Sequence, residues 1–137
     1  MIFGIGVDLV RISRMEVIIK RWRDRFVNRV FTNHEADICY QRASSSSAFA
    51  LRFAAKEAFS KALGLGMQKG IRWRDIEVFN YQGGRPGIRL YGTSADICRE
   101  KGISDIHLSL SDEGDYVVAM VVLDMINGVK KGDKTLC

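Results

Sequence analysis

The sequence predicts a single α+β domain in which a mainly antiparallel sheet packs against helices. Segments with the two-residue alternation of strands and segments with helical periodicity both occur, but they do not alternate strictly along the chain. Short turn signals join the later strands in pairs, as in hairpins. With 137 residues, of which 47% are hydrophobic, the chain has the ordinary size of one domain with one core.

The first strand is predicted over residues 2–10, where side chains alternate between two faces. One face carries the apolar residues Phe3, Ile5, Val7 and Leu9. The other face carries Gly4, Gly6 and Asp8. Asp8 is therefore expected on a face without bulky side chains.

The first helix is predicted over residues 13–26. Ser13 and Glu16 have the spacing of a capping box. The residues after them place five apolar side chains on one helical face: Ile12, Met15, Ile19, Trp22 and Phe26. The pattern indicates one continuous amphipathic helix.

Two further helices are predicted before the middle of the chain. Thr32 and Glu35 form a second capping-box pair, which opens a short helix to about residue 42. A third helix is expected from about 46 to 63, after the SSSS segment, with Ser46 or Ser47 as its N-cap. It ends at the glycines 64 and 66.

The remaining elements are four strands and one helix. Residues 75–81 and 87–91 are predicted strands joined through the segment QGGRP. Residues 94–101 form a helix that Gly102 ends, and residues 105–111 and 115–124 form a hairpin across DEG.

Composition limits the classes of function. The net charge of +5 favours an acidic partner, which could be a nucleic acid, a phosphorylated small molecule or an acidic protein. Three widely spaced cysteines without a CxxC pair indicate neither a disulfide framework nor a zinc site, which fits a reducing cytoplasm. The longest later apolar run, residues 116–123, is too short for a membrane span, so a soluble protein is expected.

Glu57 is the first candidate functional residue, because its face of the third helix carries mostly small side chains. Six residues lie within roughly 60° of it at helical spacing: Ala50, Phe53, Ala54, Ser60, Lys61 and Gly64. A lone Asp or Glu is more often solvated. Asp8 and Glu57 together, however, suit Mg²⁺, which takes one or two protein carboxylates and fills its other positions with water and substrate phosphate.

Other candidates each have a structural interpretation beside the functional one. Lys61 could be only the i,i+4 ion-pair partner of Glu57, or it could act as a charge clamp if phosphate binds. His107 lies on the polar side of its strand, where a histidine is more often a hydrogen-bonded structural residue. The GGRP segment is primarily a turn, and Pro86 fixes the backbone where the chain leaves it. Composition alone gives only weak support for a backbone platform that binds a nucleotide.

Five segments, in this order, resemble the holo-acyl-carrier-protein synthases, a family of small bacterial 4′-phosphopantetheinyl transferases. They are GIGVDLV at the N-terminus, FTNHE at 31–35, RFAAKEAFSKALGLG at 52–66, GRP at 84–86 and HLSLSDE at 107–113. The resemblance covers nearly the whole chain, and its helix motif is the most specific part. It implies one transferase domain over 1–125 and a basic C-terminal tail over 126–137.

The resemblance implies a reaction and a set of site residues. Such enzymes transfer the 4′-phosphopantetheine arm of coenzyme A to a serine of apo acyl carrier protein, in support of fatty acid biosynthesis. Asp8 and Glu57 would then hold Mg²⁺ against the pyrophosphate. Glu57, directly or through a metal-bound water, would accept the serine proton, and Lys61 would stabilise phosphate charge. The implied coenzyme A contacts are Arg52, Lys61, Gly64, Gly84, Arg85, Pro86 and His107, with the adenine near the GRP turn.

The resemblance also implies a homotrimer with active sites between subunits, and an acidic protein partner. Arg14, Arg21 and Arg25 lie within about 20° of a common line if the first helix is continuous, so they are candidate contacts to the carrier protein. A solvated basic face is the simpler interpretation of that stripe. No nucleic-acid or membrane partner is expected.

Two other classes of protein stay open on the residues alone. A nucleic-acid-binding module would explain the positive charge, although the sequence has no aromatic-basic stacking motif and no recognition helix of a known type. A Mg²⁺-dependent phosphohydrolase would use the same two carboxylates, but it would release phosphate without any carrier protein.

Overall fold

The computed structural model describes residues 1–126 and has the predicted α+β architecture. It contains β1 (Ile2–Arg11), α1 (Ile12–Trp22), α2 (Asp24–Val30), α3 (Asn33–Gln41), α4 (Ser45–Leu63), a 3₁₀ turn (Trp73–Asp75), β2 (Ile76–Asn80), β3 (Pro86–Leu90), α5 (Gly92–Glu100), β4 (Ile103–Glu113) and β5 (Tyr116–Met125). Beyond residue 126, the predicted basic tail lies outside the described residues. Within the described residues, no helix is both long and apolar enough to cross a membrane.

The strands form two antiparallel sheets. The larger sheet has the order β1-β5-β4, and β2 pairs with β3 in a separate hairpin. In the larger sheet, Asp8 of β1 lies opposite Ala119 of β5, and His107 of β4 lies opposite Val122 of β5. The antiparallel pairing is confirmed, and the GRP segment lies on a hairpin of its own.

Helix α4 packs directly on the glycine face of β1. A Cβ atom added at Gly4 would lie 2.0 Å from the carbonyl oxygen of Ala62, and one added at Gly6 would lie 1.9 Å from that of Ala58. Only glycine therefore allows the helix backbone to approach this closely. The face predicted to be free of bulk is covered by the helix, and Asp8 follows the two glycines on that same face.

A buried ion pair joins three parts of the core. Lys56 and Glu35 are both fully buried, with 2.7 Å between Nζ and Oε1. Lys56 also donates to the carbonyl oxygens of Trp73 and Ile76, at 3.0 and 2.6 Å. Glu35 accepts a hydrogen bond from the Val78 backbone N–H at 2.8 Å. The pair thus fixes β2 against α3 and α4.

The prediction of one continuous first helix is wrong. Helix α1 ends at Trp22, Arg23 has φ 46° and ψ −127°, and α2 begins at Asp24. A positive φ at a non-glycine residue costs about 1–2 kcal/mol. The new direction buries Val27 and Val30, which are 2% and 3% exposed, and this burial offsets the strain.

The N-terminal caps are only partly as predicted. The Thr32–Glu35 capping box is confirmed, but the predicted box of Ser13 and Glu16 does not form. Instead, Asp115 accepts hydrogen bonds from the Ser13 backbone N–H at 3.0 Å and from its hydroxyl at 2.6 Å. Helix α1 begins at Ile12, so Ser13 lies inside its first turn, and the Asp115 carboxylate from the β4–β5 turn takes the place that the Glu16 carboxylate has in the predicted box. The cap of α4 is Ser44 rather than Ser46 or Ser47.

Candidate active site

Asp8 and Glu57 lie in the same cleft. The cleft has a volume of about 490 Å³, and strand β1, helix α1 and helix α4 form its walls. Its lining includes Asp8, Arg14, Phe26, Phe53, Glu57 and Tyr116. The structure therefore brings together the two carboxylates that were paired on sequence grounds, and it adds Arg14 from the predicted arginine stripe. We call this space the carboxylate cleft.

Lys61 pairs with Asp8, and not with Glu57 one helical turn away. Its Nζ lies 2.9 Å from Asp8 Oδ1 and 3.2 Å from the carbonyl oxygen of Val7. The side chain of Asp8 is 14% exposed and that of Lys61 is 51% exposed. The ammonium thus lies beside Asp8 and stays accessible to solvent.

The pKa of Glu57 is raised above its ordinary value. Burial is the largest cause, and the charge of Asp8 adds to it, while Lys61 acts in the opposite direction. Arg11 and Arg14 also line the cleft, and Lys61 pairs with Asp8. Within residues 1–126, Glu57 has no ion-pair partner, so its carboxylate is the group that a bound cation would compensate.

The donor set fits Mg²⁺ better than a metal that needs a cage of protein ligands. Within residues 1–126, no group of three or more His, Cys, Asp or Glu side chains could hold a metal ion. Two carboxylates with the remaining positions open to water and substrate are what Mg²⁺ commonly uses. A cation between Asp8 and Glu57 would also relieve the repulsion that helps to raise the Glu57 pKa.

The GRP turn and His107 form a second, smaller cleft of about 190 Å³. Tyr81, Arg85, Pro86 and His107 line it. The Arg85 guanidinium lies 4.8 Å from the centroid of the Tyr81 ring, and His107 Nε2 lies 3.1 Å from a carboxylate oxygen of Asp124. Neither Asp8 nor Glu57 lines this cleft, so one subunit carries the predicted site as two separate halves.

Gly64 and Gly84 have the backbone conformations that their positions demand. Gly64 ends α4 with φ 86°, and Gly84 lies in the β2–β3 turn with φ 101°. Nothing lies within 4 Å of a Cβ added at either position. Their glycine identity therefore follows from the left-handed backbone, while the space beside each stays open to a ligand.

Arg52 lines neither cleft. It is 6% exposed, donates through Nη1 to the carbonyl oxygen of Ala48 at 3.3 Å, and its Nε has no hydrogen-bond partner. Burial raises the pKa of the nearby Cys39 thiol to about 11, and the charge of Arg52 opposes this rise. Of the predicted coenzyme A contacts, Arg85, Pro86 and His107 line the second cleft, whereas Arg52 is buried in α4.

The arginine stripe does not form a single line, because α1 and α2 are separate helices. Arg14 lines the carboxylate cleft, Arg21 lies 5.1 Å from the centroid of the Trp22 ring, and Arg25 belongs to α2. Sequence reasoning missed Tyr116, whose hydroxyl accepts a hydrogen bond from Arg11 at 2.8 Å at the edge of the cleft. Only the β1–β5 register, which pairs Arg11 with Tyr116, could have indicated it.

Comparison with known proteins decides the family. A family model for the 4′-phosphopantetheinyl transferase superfamily matches residues 4–121. The chain belongs to this superfamily. The matched residues of this superfamily member include both halves of the site, from Asp8 in the carboxylate cleft to Arg85 and His107 in the second cleft.

Individual relatives agree over nearly the full length of this superfamily member. The holo-[acyl-carrier-protein] synthase of Geobacter metallireducens is 45% identical over 126 residues, which cover 92% of the chain and 100% of the relative. The crystal structure of the Neisseria meningitidis holo-[acyl-carrier-protein] synthase matches with a TM-score of 0.85 and 36% identity, over 90% of the chain and 99% of that protein. The Helicobacter pylori holo-[acyl-carrier-protein] synthase, solved in complex with coenzyme A, matches with a TM-score of 0.78 and 32% identity, over 88% and 99%.

Proposed function

We propose that this protein is a holo-acyl-carrier-protein synthase. It transfers 4′-phosphopantetheine from coenzyme A to a serine hydroxyl of apo acyl carrier protein and releases adenosine 3′,5′-bisphosphate. The observation that carries the proposal is the carboxylate cleft, which Asp8 and Glu57 line and in which Asp8 pairs with Lys61, in a member of the phosphopantetheinyl transferase superfamily. Relatives with this name at 45% identity, and a 32% identical structure in complex with coenzyme A, support the choice of activity and substrate.

The chemistry follows from the three charged side chains. Asp8 and Glu57 would hold Mg²⁺, which neutralises charge on a bound pyrophosphate. The Lys61 ammonium, 2.9 Å from Asp8 Oδ1, would stabilise negative charge on the transferring phosphoryl group. Glu57 would accept the proton of the serine hydroxyl.

The second cleft supplies the other half of the coenzyme A site in this proposal. Arg85 offers a guanidinium to the phosphate at the adenosine end, and Pro86, Gly84 and His107 shape the space around it. Because the two clefts are separate within one chain, a complete site requires two subunits. The proposed assembly is a homotrimer whose active sites lie between subunits.

The outer face of the larger sheet supports self-association. Ile5, Val7, Leu9 and Met120 are 59%, 54%, 63% and 46% exposed, and they belong to neighbouring strands. A contiguous apolar face of this kind marks an interaction surface. His107, which lines the second cleft, lies on the same face, opposite Val122. A second subunit packed on this face would therefore lie next to the second cleft.

The proposal also includes a pathway, a cellular compartment and a set of contacts to the carrier protein. The protein serves fatty acid biosynthesis through the carrier protein it modifies. It works in the cytoplasm, where the buried free thiols of Cys39 and Cys98 stay reduced. Arg14, Arg21 and Arg25 contact the carrier protein from α1 and α2, although not as one continuous stripe.

One incubation tests the activity. The protein is mixed with coenzyme A, Mg²⁺ and apo acyl carrier protein, and the carrier is analysed by mass spectrometry. The expected result is a mass increase of one 4′-phosphopantetheine group, dependent on Mg²⁺. Phosphate release from coenzyme A without carrier protein would identify a phosphohydrolase instead. No change in either substrate, with tight salt-dependent binding to random DNA, would identify a nucleic-acid-binding module.

A further inference from the structure

A third cleft, with a volume of about 450 Å³, lies between α2, the segment after α4 and the 3₁₀ turn. Its lining includes Asn28, Arg29, Met67, Arg72, Trp73 and Arg74. We call it the arginine cleft. Neither the catalytic carboxylates nor the GRP turn contributes to it, so the proposed chemistry leaves it unexplained.

The arginine cleft carries three uncompensated positive charges. Within residues 1–126, none of Arg29, Arg72 and Arg74 forms an ion pair, and no acidic residue lines the cleft. Arg74 is held in place by its own bonds, because it donates to the carbonyl oxygen of Asn28 at 3.2 Å and to Asn33 Oδ1 at 3.5 Å. Arg29 and Arg72 are exposed and have no hydrogen-bond partner in this part of the chain. Their guanidinium groups are free to bind an anion.

The arginine cleft adjoins the carboxylate cleft across an aromatic pair, Phe53 and Trp73. Phe53, which lines the carboxylate cleft, stacks on Trp73 of the arginine cleft with 5.0 Å between ring centroids and 19° between planes. Phe26 of α2 lies 6.4 Å from Phe53, and Arg29 follows Phe26 by about one helical turn. A partner bound at the carboxylate cleft can therefore extend across α2 into the arginine cleft.

We propose that the arginine cleft binds carboxylate side chains of the acyl carrier protein. This inference rests on the proposed function, which supplies the protein partner. Guanidinium groups match carboxylates in geometry and charge, and Arg, Trp and Met are residues that protein interfaces favour. The arginines come from two separate elements around an open cleft, so they suit several carboxylates spread over a protein surface better than one compact phosphate.

The test uses the single variants Arg29→Glu and Arg72→Glu. Both residues are exposed and unbonded, so the changes spare the fold, whereas Arg74 is left intact because it holds the 3₁₀ turn. Arg99→Glu is the matched control, since Arg99 is exposed on α5, pairs only with exposed Asp96, and lines none of the three clefts. Binding of labelled apo acyl carrier protein is measured beside the transfer kinetics, and thermal unfolding checks the fold.

Each cleft variant should raise the Kd and the KM for apo carrier protein about fivefold to tenfold at low salt, with less effect at high salt. The KM for coenzyme A should stay unchanged, and Arg99→Glu should match the wild type. Unchanged carrier binding in both cleft variants would overturn the inference, and so would a raised KM for coenzyme A alone. Loss of oligonucleotide binding with carrier binding retained would assign the cleft to nucleic acid. If the wild type binds carrier but does not transfer, the proposed function fails while the binding data still decide this inference.

Discussion

At the scale of single residues, Glu57 and Asp8 show how position creates a chemical difference between two carboxylates. Asp8 has a lysine 2.9 Å away, whereas Glu57 is half-buried and faces the charge of Asp8. The same cleft therefore contains one carboxylate that pairs with a lysine and one whose pKa is raised, first by burial and then by the charge of its neighbour. Their roles differ because their surroundings differ.

Asp8→Asn and Glu57→Gln should each abolish transfer while leaving the fold intact. Each substitution preserves shape but removes a negative charge that the Mg²⁺ site requires. The free energy of unfolding should change by about 1 kcal/mol or less, because the one ion pair involved is partly exposed. Transfer is followed by carrier mass and stability by urea unfolding, with Asp112→Asn, an exposed carboxylate outside the cleft, as control. Full activity in either variant would remove the proposed mechanism.

At the scale of elements, the buried Lys56–Glu35 pair connects helix α4 to the β2–β3 hairpin. Lys56 precedes Glu57 on α4, and its ammonium holds the carbonyl oxygens of Trp73 and Ile76 at the start of β2. The β2–β3 hairpin carries the GRP turn. The pair thus fixes the element that bears Arg85 relative to the helix that bears Glu57.

Lys56→Met should destabilise the protein by about 3–5 kcal/mol, because Glu35 would remain buried without its cation. Burial lowers the pKa of Lys56, and the charge of Glu35 opposes this change. The double variant Lys56→Met with Glu35→Leu should be closer to the wild type than Lys56→Met alone. Urea unfolding of the three proteins measures the difference. Additive losses in the double variant would contradict this account of the pair.

Helices and strands could be predicted well where the signal is local. The Thr32–Glu35 box and the glycine at 64 mark helix ends through neighbours in sequence, and both are confirmed. The cap of α1 could not be predicted, because Asp115 reaches Ser13 from a turn about a hundred residues later. The break at Arg23 also depends on tertiary burial of the residues that follow it.

The residue types of the candidate site could be predicted from the sequence. Their division between two separate clefts could not. Asp8 and Glu57 could be paired because both share faces with small residues. The partner of Lys61 depends on which strand lies beside α4, so the sequence could not choose Asp8 over Glu57. The separation of the GRP turn from the carboxylates depends on the second sheet. Composition and periodicity do not specify that sheet.

At the scale of the whole molecule, charge and apolar surface lie on different faces. Arg14 of α1 lines the carboxylate cleft, Arg21 and Arg25 lie further along α1 and α2, and the exposed apolar face belongs to the larger sheet. In the proposed function, the carrier protein and a second copy of the chain therefore use separate surfaces.

Arg14→Glu with Arg21→Glu should raise the KM for apo carrier protein by about tenfold and flatten its salt dependence. The reason is loss of attraction at encounter, and the KM for coenzyme A should stay nearly unchanged. Steady-state kinetics at several salt concentrations measure both values. An equal loss for both substrates would place these arginines at the coenzyme A site or in the fold, and docking through them would have to be abandoned.

Val7→Asp should disrupt the proposed homotrimer, because it places a charge at the centre of the exposed apolar face, between Ile5 and Leu9. Val17→Asp is the matched control, since Val17 is exposed on α1 and lies away from that face. Light scattering measures the oligomeric state of each variant. A trimeric Val7→Asp protein, or a dissociated control, would show that this face is not the interface.

In the proposed trimer, each active site takes residues from two subunits. Complementation between two inactive variants can test this sharing. The variants Asp8→Asn and Arg85→Ala should each be nearly inactive alone, because each damages one half of every site. In mixed trimers from co-expression, about a quarter of the sites would combine an intact Asp8 from one subunit with an intact Arg85 from its neighbour. Transfer should therefore reappear at about that fraction of the wild-type rate. If both halves came from the same subunit, every site would keep one damaged half and the mixed protein would stay as inactive as its parents.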